Sequence, residues 1–86
     1  MLPNVFYNLG TLTGTVTFSM ASASDNTIAN HWYWTFDTDT TVPNITWPNS
    51  IIKWIGNSLD NDTPNVEAST HYEVSIQNDY GIFNAF

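Results

Sequence analysis

Alternation of apolar and polar residues is the strongest pattern in this chain. In residues 11–20, 31–37 and 71–77, apolar side chains or Gly occupy every second position, and polar or amphipathic side chains fill the positions between. A period of two places alternate side chains on opposite faces of a β-strand, whereas a helix would scatter them around its axis. Each run therefore predicts a strand with one buried face, and the inward-facing set is Leu12, Gly14, Val16, Phe18, Met20, Trp32, Trp34, Phe36, Tyr72, Val74 and Ile76.

Shorter apolar stretches complete the predicted fold. Residues 5–7 are followed by the turn-like sequence 8–10, and residues 82–86 follow the turn signal 78–81, which predicts a hairpin with the strand at 71–77. We count about seven short strands and no convincing helix. This pattern predicts one all-β domain spanning residues 1–86, a small antiparallel β-sandwich or a jelly-roll-like domain.

Two tryptophans flank a predicted turn in the middle of the chain. Trp47 precedes Pro48, which lacks a donor N–H and belongs at a strand end, and Trp54 lies in the apolar stretch 51–55, which stops at Gly56. We expect a hairpin that packs both indoles over the sheet formed by residues 12–20. Trp54 is then either a core residue or a surface contact residue, and the sequence leaves both readings open.

Charge and composition exclude several classes of function. The chain has 86 residues, one Lys, no Arg, no Cys and a formal net charge of −7. A single cation cannot neutralise a run of phosphates, so we expect no nucleic-acid partner, and an anionic membrane surface would repel the chain. The absence of cysteine excludes disulfides and thiolate chemistry. No apolar run is long enough to span a bilayer, so we expect neither membrane insertion nor a signal peptide.

The residues that could carry chemistry are few. His31 and His71 each open a strand on its polar face without any Cys nearby in sequence, and no G-x-S-x-G motif accompanies the serines. Asp37 and Asp39 form a carboxylate pair, but a sandwich of this size has little room for the cleft of a glycosidase. We therefore expect no enzyme activity, no catalytic residues and no cofactor.

Calcium is a further hypothesis for the acidic loop. Asp60 and Asp62 offer hard oxygen ligands in a segment rich in Asn, Asp and Thr. The segment does not match the EF-hand calcium loop. If the loop began at Asp60, Pro64 would occupy its fifth position, and the required Gly is missing. The two residues are weak calcium candidates, and solvated loop carboxylates are the favoured interpretation.

The aromatic residues, which make up 15% of the chain, allow two interpretations. Exposed rings beside Asn, Asp and Thr are typical of carbohydrate-binding modules, which stack sugars on aromatic side chains. The shared parity of Trp32, Trp34 and Phe36 instead favours a core role for those rings. Tyr33, on the opposite parity, is a better candidate for an exposed ring. The candidate ligand or partner contacts are Tyr33, Trp54, Tyr80 and Phe83.

Three stretches of the chain carry a resemblance to a known family. Residues 44–57 read NITWPNSIIKWIGN, residues 71–78 read HYEVSIQN, and residues 3–10 read PNVFYNLG. Together they resemble the TWP-x-S-[IV]-x-W-x-G-G, HYE-[IV]-SI-x-N and PNxxYNLG pattern of tail-fibre, head-fibre and other appendage proteins of tailed bacteriophages and prophages. The chain departs from that pattern at Asn57, where a second Gly is usual, and at the acidic insertion 60–62.

The resemblance implies a non-enzymatic virion module with a structural, assembly or host-surface adhesion role, often as part of a longer fibre protein. It implies self-association, with a homotrimer favoured over a monomer, and contacts with other virion proteins or a host-surface glycan. The expected location is the phage particle, or the cytoplasm of the bacterial host before assembly. A stand-alone carbohydrate-binding module remains the alternative.

Overall fold

The protein was analysed as a computed structural model, which describes residues 1–21, 30–48, 51, 53–77 and 80–86. Every regular element in these segments is a strand, which confirms the predicted all-β class, with nine strands where the sequence indicated about seven. The strands are β1 (Phe6–Leu12), β2 (Thr15–Thr17), β3 (His31–Thr38), β4 (Asn44–Thr46), β5 (Lys53–Gly56), β6 (Leu59–Asp60), β7 (Thr63–Pro64), β8 (His71–Gln77) and β9 (Tyr80–Ala85).

The strands form one large sheet and two small ones. The large sheet has the order β1-β3-β8-β9-β5, and β2 pairs with β4 while β6 pairs with β7. The prediction of an antiparallel sandwich is wrong in part, because β1–β3, β2–β4 and β5–β9 are parallel pairs. Parallel neighbours need a crossover connection. Here the chain makes it by passing through β2 between β1 and β3, and through β6, β7 and β8 between β5 and β9.

The two alternating runs at 31–37 and 71–77 are confirmed as strands. They form β3 and β8, which pair antiparallel from His31↔Gln77 to Asp37↔His71. Strand β9 pairs antiparallel with β8, so the predicted hairpin partners are also confirmed. Residues 78 and 79 of the predicted turn lie outside the described residues.

The single strand predicted over residues 11–20 is wrong. Strand β1 ends at Leu12 and β2 begins at Thr15, with Gly14 between them at a φ of 72°. This left-handed conformation lets the chain leave the large sheet, and the Gly14 carbonyl accepts the Asn44 N–H at 2.8 Å beside β4. The alternation persists across the break because Leu12 and Val16 pack against the same core from two different sheets.

The early turn predicted at residues 8–10 is also absent. Strand β1 runs through it, with a register irregularity between Asn8 and Thr11 where Gly10 has a φ of 69°. A bulge inserts an extra residue without ending the strand, and glycine accepts the required backbone conformation. Gly10 therefore marks a bulge within β1 and not a turn that ends the strand.

The hairpin predicted around Trp47 and Trp54 does not form, because β4 pairs with β2 and β5 pairs with β9. The two indoles nevertheless meet edge to face, with ring centroids 5.3 Å apart. Trp47 also contacts Phe18 at 5.2 Å and Phe83 at 5.2 Å. The rings thus join the small β2–β4 sheet to the large sheet.

The core lies between these two sheets and is largely aromatic. Phe18 packs at 5.1 Å from Trp34 and 5.4 Å from Phe36, while the Tyr72 ring stacks at 4.8 Å on Phe83. Aromatic pairs at such distances gain energy beyond simple burial. This packing takes the place of disulfides in stabilising a small domain, and the buried hydrophobic residues are Phe18, Trp34, Phe36, Tyr72, Val74, Ile76 and Phe83.

Candidate functional site

The large sheet presents an outer face on which no described segment packs. Its inner residues enter the aromatic core, whereas on the other side large apolar residues remain exposed, including Phe6 at 57% and Ile82 at 43%. We call this side the open face. It comprises the outward side chains of the five strands, which are Phe6, Asn8, Thr11, His31, Tyr33, Thr35, Asp37, Lys53, Ile55, His71, Glu73, Ser75, Gln77, Tyr80, Ile82 and Asn84.

Four side chains with apolar surface cross the open face in one line. The strand registers place Phe6 beside Tyr33, Tyr33 beside Ser75, Ser75 beside Ile82, and Ile82 beside Ile55. The rings of Phe6 and Tyr33 are in contact, with centroids 4.8 Å apart. At about 4.8 Å between strands, the line is about 19 Å long. We call these five residues the apolar row.

A polar row runs parallel to the apolar row. It contains Asn8, Thr35, Glu73 and Asn84 in register, followed by Asn57 just after β5. The Asn57 Oδ1 accepts the Ala85 N–H at 2.7 Å, and its Nδ2 donates to the Ala85 carbonyl at 3.3 Å. Asn57 thus extends the sheet edge through its side chain.

Every basic side chain of the protein belongs to the open face. His31 and Lys53 flank Gln77 and Tyr80 in the row on the other side of the apolar row. His71 lies near the opposite end, where its Nδ1 is 2.7 Å from the Asp37 Oδ1. The sequence holds one Lys, two His and no Arg, so this set is complete.

The carboxylates are distributed differently. Of the six acidic residues in the described part of the chain, Asp37 and Glu73 belong to the open face. The other four lie outside the large sheet, at Asp39, Asp60, Asp62 and Glu67. The open face is therefore close to neutral, while the remainder of the molecule carries most of the negative charge.

Tyr33 has the one resolved electrostatic perturbation on this face. Partial burial, a hydrogen bond with Glu73 and the negative charge of the Glu73 carboxylate together raise the pKa of the Tyr33 phenol. Each of these effects favours the neutral phenol over the phenolate. Tyr33 therefore keeps a donor O–H on the open face well into the alkaline range.

Two shallow depressions lie on the open face. One, of about 420 Å³, is lined by Phe6, Tyr33 and His31 together with Asn4 and Val5. The other, of about 260 Å³, is lined by Ile55, Ser75, Gln77, Tyr80 and Ile82. Neither is enclosed, and both border the apolar row. The geometry suits contact with another surface rather than capture of a small molecule.

The four candidate contact residues fall in different places. Tyr80, 50% exposed, and the partly buried Tyr33 both belong to the open face. Trp54 is partly buried on the inner side, where it packs against the core. Phe83 is fully buried, so its assignment as a contact residue is wrong. Its parity in β9 matches Gly81 and opposes Tyr80, and this places it among the core rings.

Sequence reasoning missed Phe6, Ile55 and Ile82. We assigned Ile55 and Phe6 to apolar stretches without a face, because residues 5–7 and 51–55 do not alternate. Ile82 shares the parity of the exposed Tyr80, and this signal could have identified it before the structure was known. Apolar residues on the polar parity of a strand indicate a partner surface rather than a core.

The remaining candidates stay apart from one another. His31 and His71 are separated by three two-residue steps along the sheet, or about 20 Å, too far to share a metal ion. Asp60 lies in β6 and Asp62 in the following turn, both exposed. Within the described segments, no three His, Asp or Glu side chains come together as a metal site.

Comparisons of the chain with protein-family models, with curated proteins and with solved structures find no match. In the described segments no helix has the length and apolar character needed to cross a membrane.

Proposed function

We propose that this protein is a non-enzymatic module of a phage or prophage appendage, with a structural, assembly or adhesion role exercised through the open face. The observation that carries the proposal is that the open face exposes Phe6, Ile55 and Ile82 in one row, on a domain with a net charge of −7. Apolar surface of this kind, rimmed by polar residues, is typical of interaction sites. The motif resemblance at residues 3–10, 44–57 and 71–78 supplies the biological setting.

A binding role fits the chemistry of the face better than catalysis does. His71 pairs with Asp37, and His31 lies 2.5 Å from the Ser75 Oγ, but among the described residues no third group completes either pair as a triad. The depressions beside them are shallow and open to solvent. A catalytic site needs a pocket that orients a substrate and excludes water. These features support a surface that recognises another surface.

The virion assignment is tested by peptide mass spectrometry. A bacterial culture carrying the coding sequence is induced, and the particles are purified by density and separated from the soluble lysate. We expect peptides of this chain in the particle fraction, at a constant ratio to capsid peptides across the gradient. Recovery in the soluble fraction alone, while capsid peptides sediment, would contradict the proposal.

A carbohydrate-binding module is the second candidate, and one observation favours it. Tyr33 and Tyr80 border the two depressions with hydrogen-bonding groups of Ser75 and Gln77 close by. Sugars bind where an aromatic ring lies beside polar groups that fix orientation. A glycan array probed with the wild-type chain and with Tyr80→Ala tests this directly. Hits that disappear in Tyr80→Ala favour this candidate, and an array without hits eliminates it.

A further inference from the structure

We infer that the open face binds a second copy of this chain, so that two large sheets stack face to face in a symmetric dimer. The inference rests on the proposed function in one respect, since both assign a macromolecular partner to the open face. It goes further by naming that partner and the contacts it makes, and it assigns two copies where the motif resemblance implies three.

Charge is the first reason for this choice. With a net charge of −7, two copies repel each other over most of their surfaces. This repulsion is small at the open face, because it holds Lys53, His31 and His71 against only two described carboxylates. Face-to-face stacking brings these near-neutral surfaces together, and Asp60, Asp62 and Glu67 are not among the residues of the open face.

The arrangement of the rows is the second reason. A two-fold axis parallel to the apolar row places each residue of that row opposite its own counterpart, as closed symmetry requires. The same axis brings the partner's Gln77 opposite Glu73, so an amide donor meets the carboxylate. An axis parallel to the strands would instead place two Glu73 side chains opposite each other. The register therefore selects the axis along the apolar row.

Size is the third reason. Five strands at about 4.8 Å spacing and the three rows that this axis superposes, about 6.8 Å apart, give a surface of roughly 500 Å² on each copy. Two such surfaces bury about 1,000 Å², which is the size at which specific interfaces begin. The exposed apolar surface of Phe6, Ile55 and Ile82 lies within this area. The depressions beside these side chains leave room for the partner's apolar row.

The oligomeric state is tested by sedimentation velocity of the full 86-residue chain over a concentration series. We expect a species of twice the 9.7 kDa chain mass. Ile82→Glu, which places a carboxylate in the apolar row, should weaken the dimer about 100-fold. Val42→Glu is the matched control, because Val42 is 46% exposed, similar to Ile82 at 43%, but lies in the loop before β4. It should leave the dimer intact.

Chemical cross-linking tests the axis and does not depend on the folding of Ile82→Glu. The chain contains no cysteine, so a single introduced thiol reacts alone. Stacked sheets lie about 10 Å apart, a span that a short bismaleimide bridges. Ile82→Cys should cross-link efficiently, because the axis along the apolar row brings the two thiols together, and the loop variant Thr41→Cys should not.

Three results would overturn the inference. They are a wild-type monomer at concentrations up to roughly 1 mM, a trimer, or a dimer that Ile82→Glu leaves unchanged. These results are independent of the particle experiment. A dimer formed by a chain that is absent from particles would remove the proposed function and keep the inference. A monomeric chain that is found in particles would remove the inference and keep the proposed function.

Discussion

The indole of Trp54 lies directly on the backbone of Gly81, its neighbour in the parallel pair of β5 and β9. A Cβ placed on Gly81 would meet the Trp54 Cε3 and Cζ3 at 2.6 Å. Glycine is therefore needed at this position by the ring, since Gly81 has no left-handed φ. The contact fixes Trp54 edge to face against Trp47, and so connects the edge strand β5 to the core.

Substitution of Gly81 should confirm this relationship. We expect Gly81→Ala to destabilise the fold by about 1–3 kcal/mol, because the added methyl displaces a packed ring. In a Trp54→Leu background the same substitution should cost much less, because the colliding ring atoms are gone. Urea unfolding of the wild type, the two single variants and the double variant measures the coupling free energy between the two positions. Equal costs in both backgrounds would show that the ring does not constrain Gly81.

The buried hydroxyl of Thr38 anchors a neighbouring segment, and this role can be tested by mutation away from the open face. Its buried hydroxyl donates to the Glu67 carbonyl at 2.5 Å and accepts the Thr70 N–H at 2.9 Å, which anchors the segment before β8. Thr38→Val keeps the shape but leaves these groups without their partner, so we expect a loss of about 1–3 kcal/mol in unfolding free energy. The exposed Thr40→Val should change little. Similar melting of both variants would contradict the anchoring role.

Tyr33 predicts how stability depends on alkaline pH. Its raised pKa means that the folded protein retains the phenolic proton at a pH where the unfolded chain has lost it. This contribution to stability is fully present below the pKa of Tyr33 in the unfolded chain, near 10. It declines as the pH rises through the higher pKa that Tyr33 has in the folded protein. Tyr33→Phe should therefore lose less stability than wild type between about pH 9 and pH 12. Parallel curves for the two proteins would contradict this assignment.

Glu73 contributes to the same shift, and its removal is informative. Glu73→Gln abolishes the negative charge beside Tyr33 and should lower the pKa of Tyr33 toward its ordinary value. The tyrosinate absorbance of Glu73→Gln minus that of the Tyr33→Phe, Glu73→Gln double variant isolates this one titration. The corresponding wild-type difference is the reference. An unchanged midpoint would show that Glu73 does not act on the phenol.

The sequence was sufficient for some parts of this fold and insufficient for others. The parity of Trp34, Phe36 and Val74 predicted the two central strands, because a strand buried on one face must alternate. The partner strands of β4 and β5, which are β2 and β9, could not be predicted in this way. Their partners are set by crossovers through the rest of the chain, and local pattern does not encode which distant strand lies alongside.

For the candidate site, too, some residues could be identified from the sequence and others could not. Tyr33 was identified because it opposes a buried parity, whereas Tyr80 was named as a contact without a face assigned to it. The apolar row was not, because its members come from five strands and become neighbours only through the registers of four pairings. Phe83 was misplaced, and Trp54 was left open between core and surface, for a related reason, since the aromatic content of a strand does not indicate which face the rings occupy.

Salt dependence separates stacking of near-neutral faces from association through ion pairs. Added salt shortens the screening length from about 30 Å at 0.01 M to about 8 Å at 0.15 M, which weakens the repulsion between two acidic copies. We therefore expect the dimer to tighten as salt rises over this range. Sedimentation equilibrium at several salt concentrations measures the effect. Weaker association at higher salt would point to an interface held by opposite charges.

The most direct test of the central claim, that the open face is covered by a second copy, is a solvent-accessibility measurement on isoleucine and valine methyl groups. A soluble paramagnetic probe broadens the NMR signals of exposed methyls. We predict that Ile55 and Ile82 are broadened in dilute samples and become protected as the concentration rises, while the methyls of Val42 stay broadened throughout. Equal broadening of all three residues at every concentration would contradict the claim.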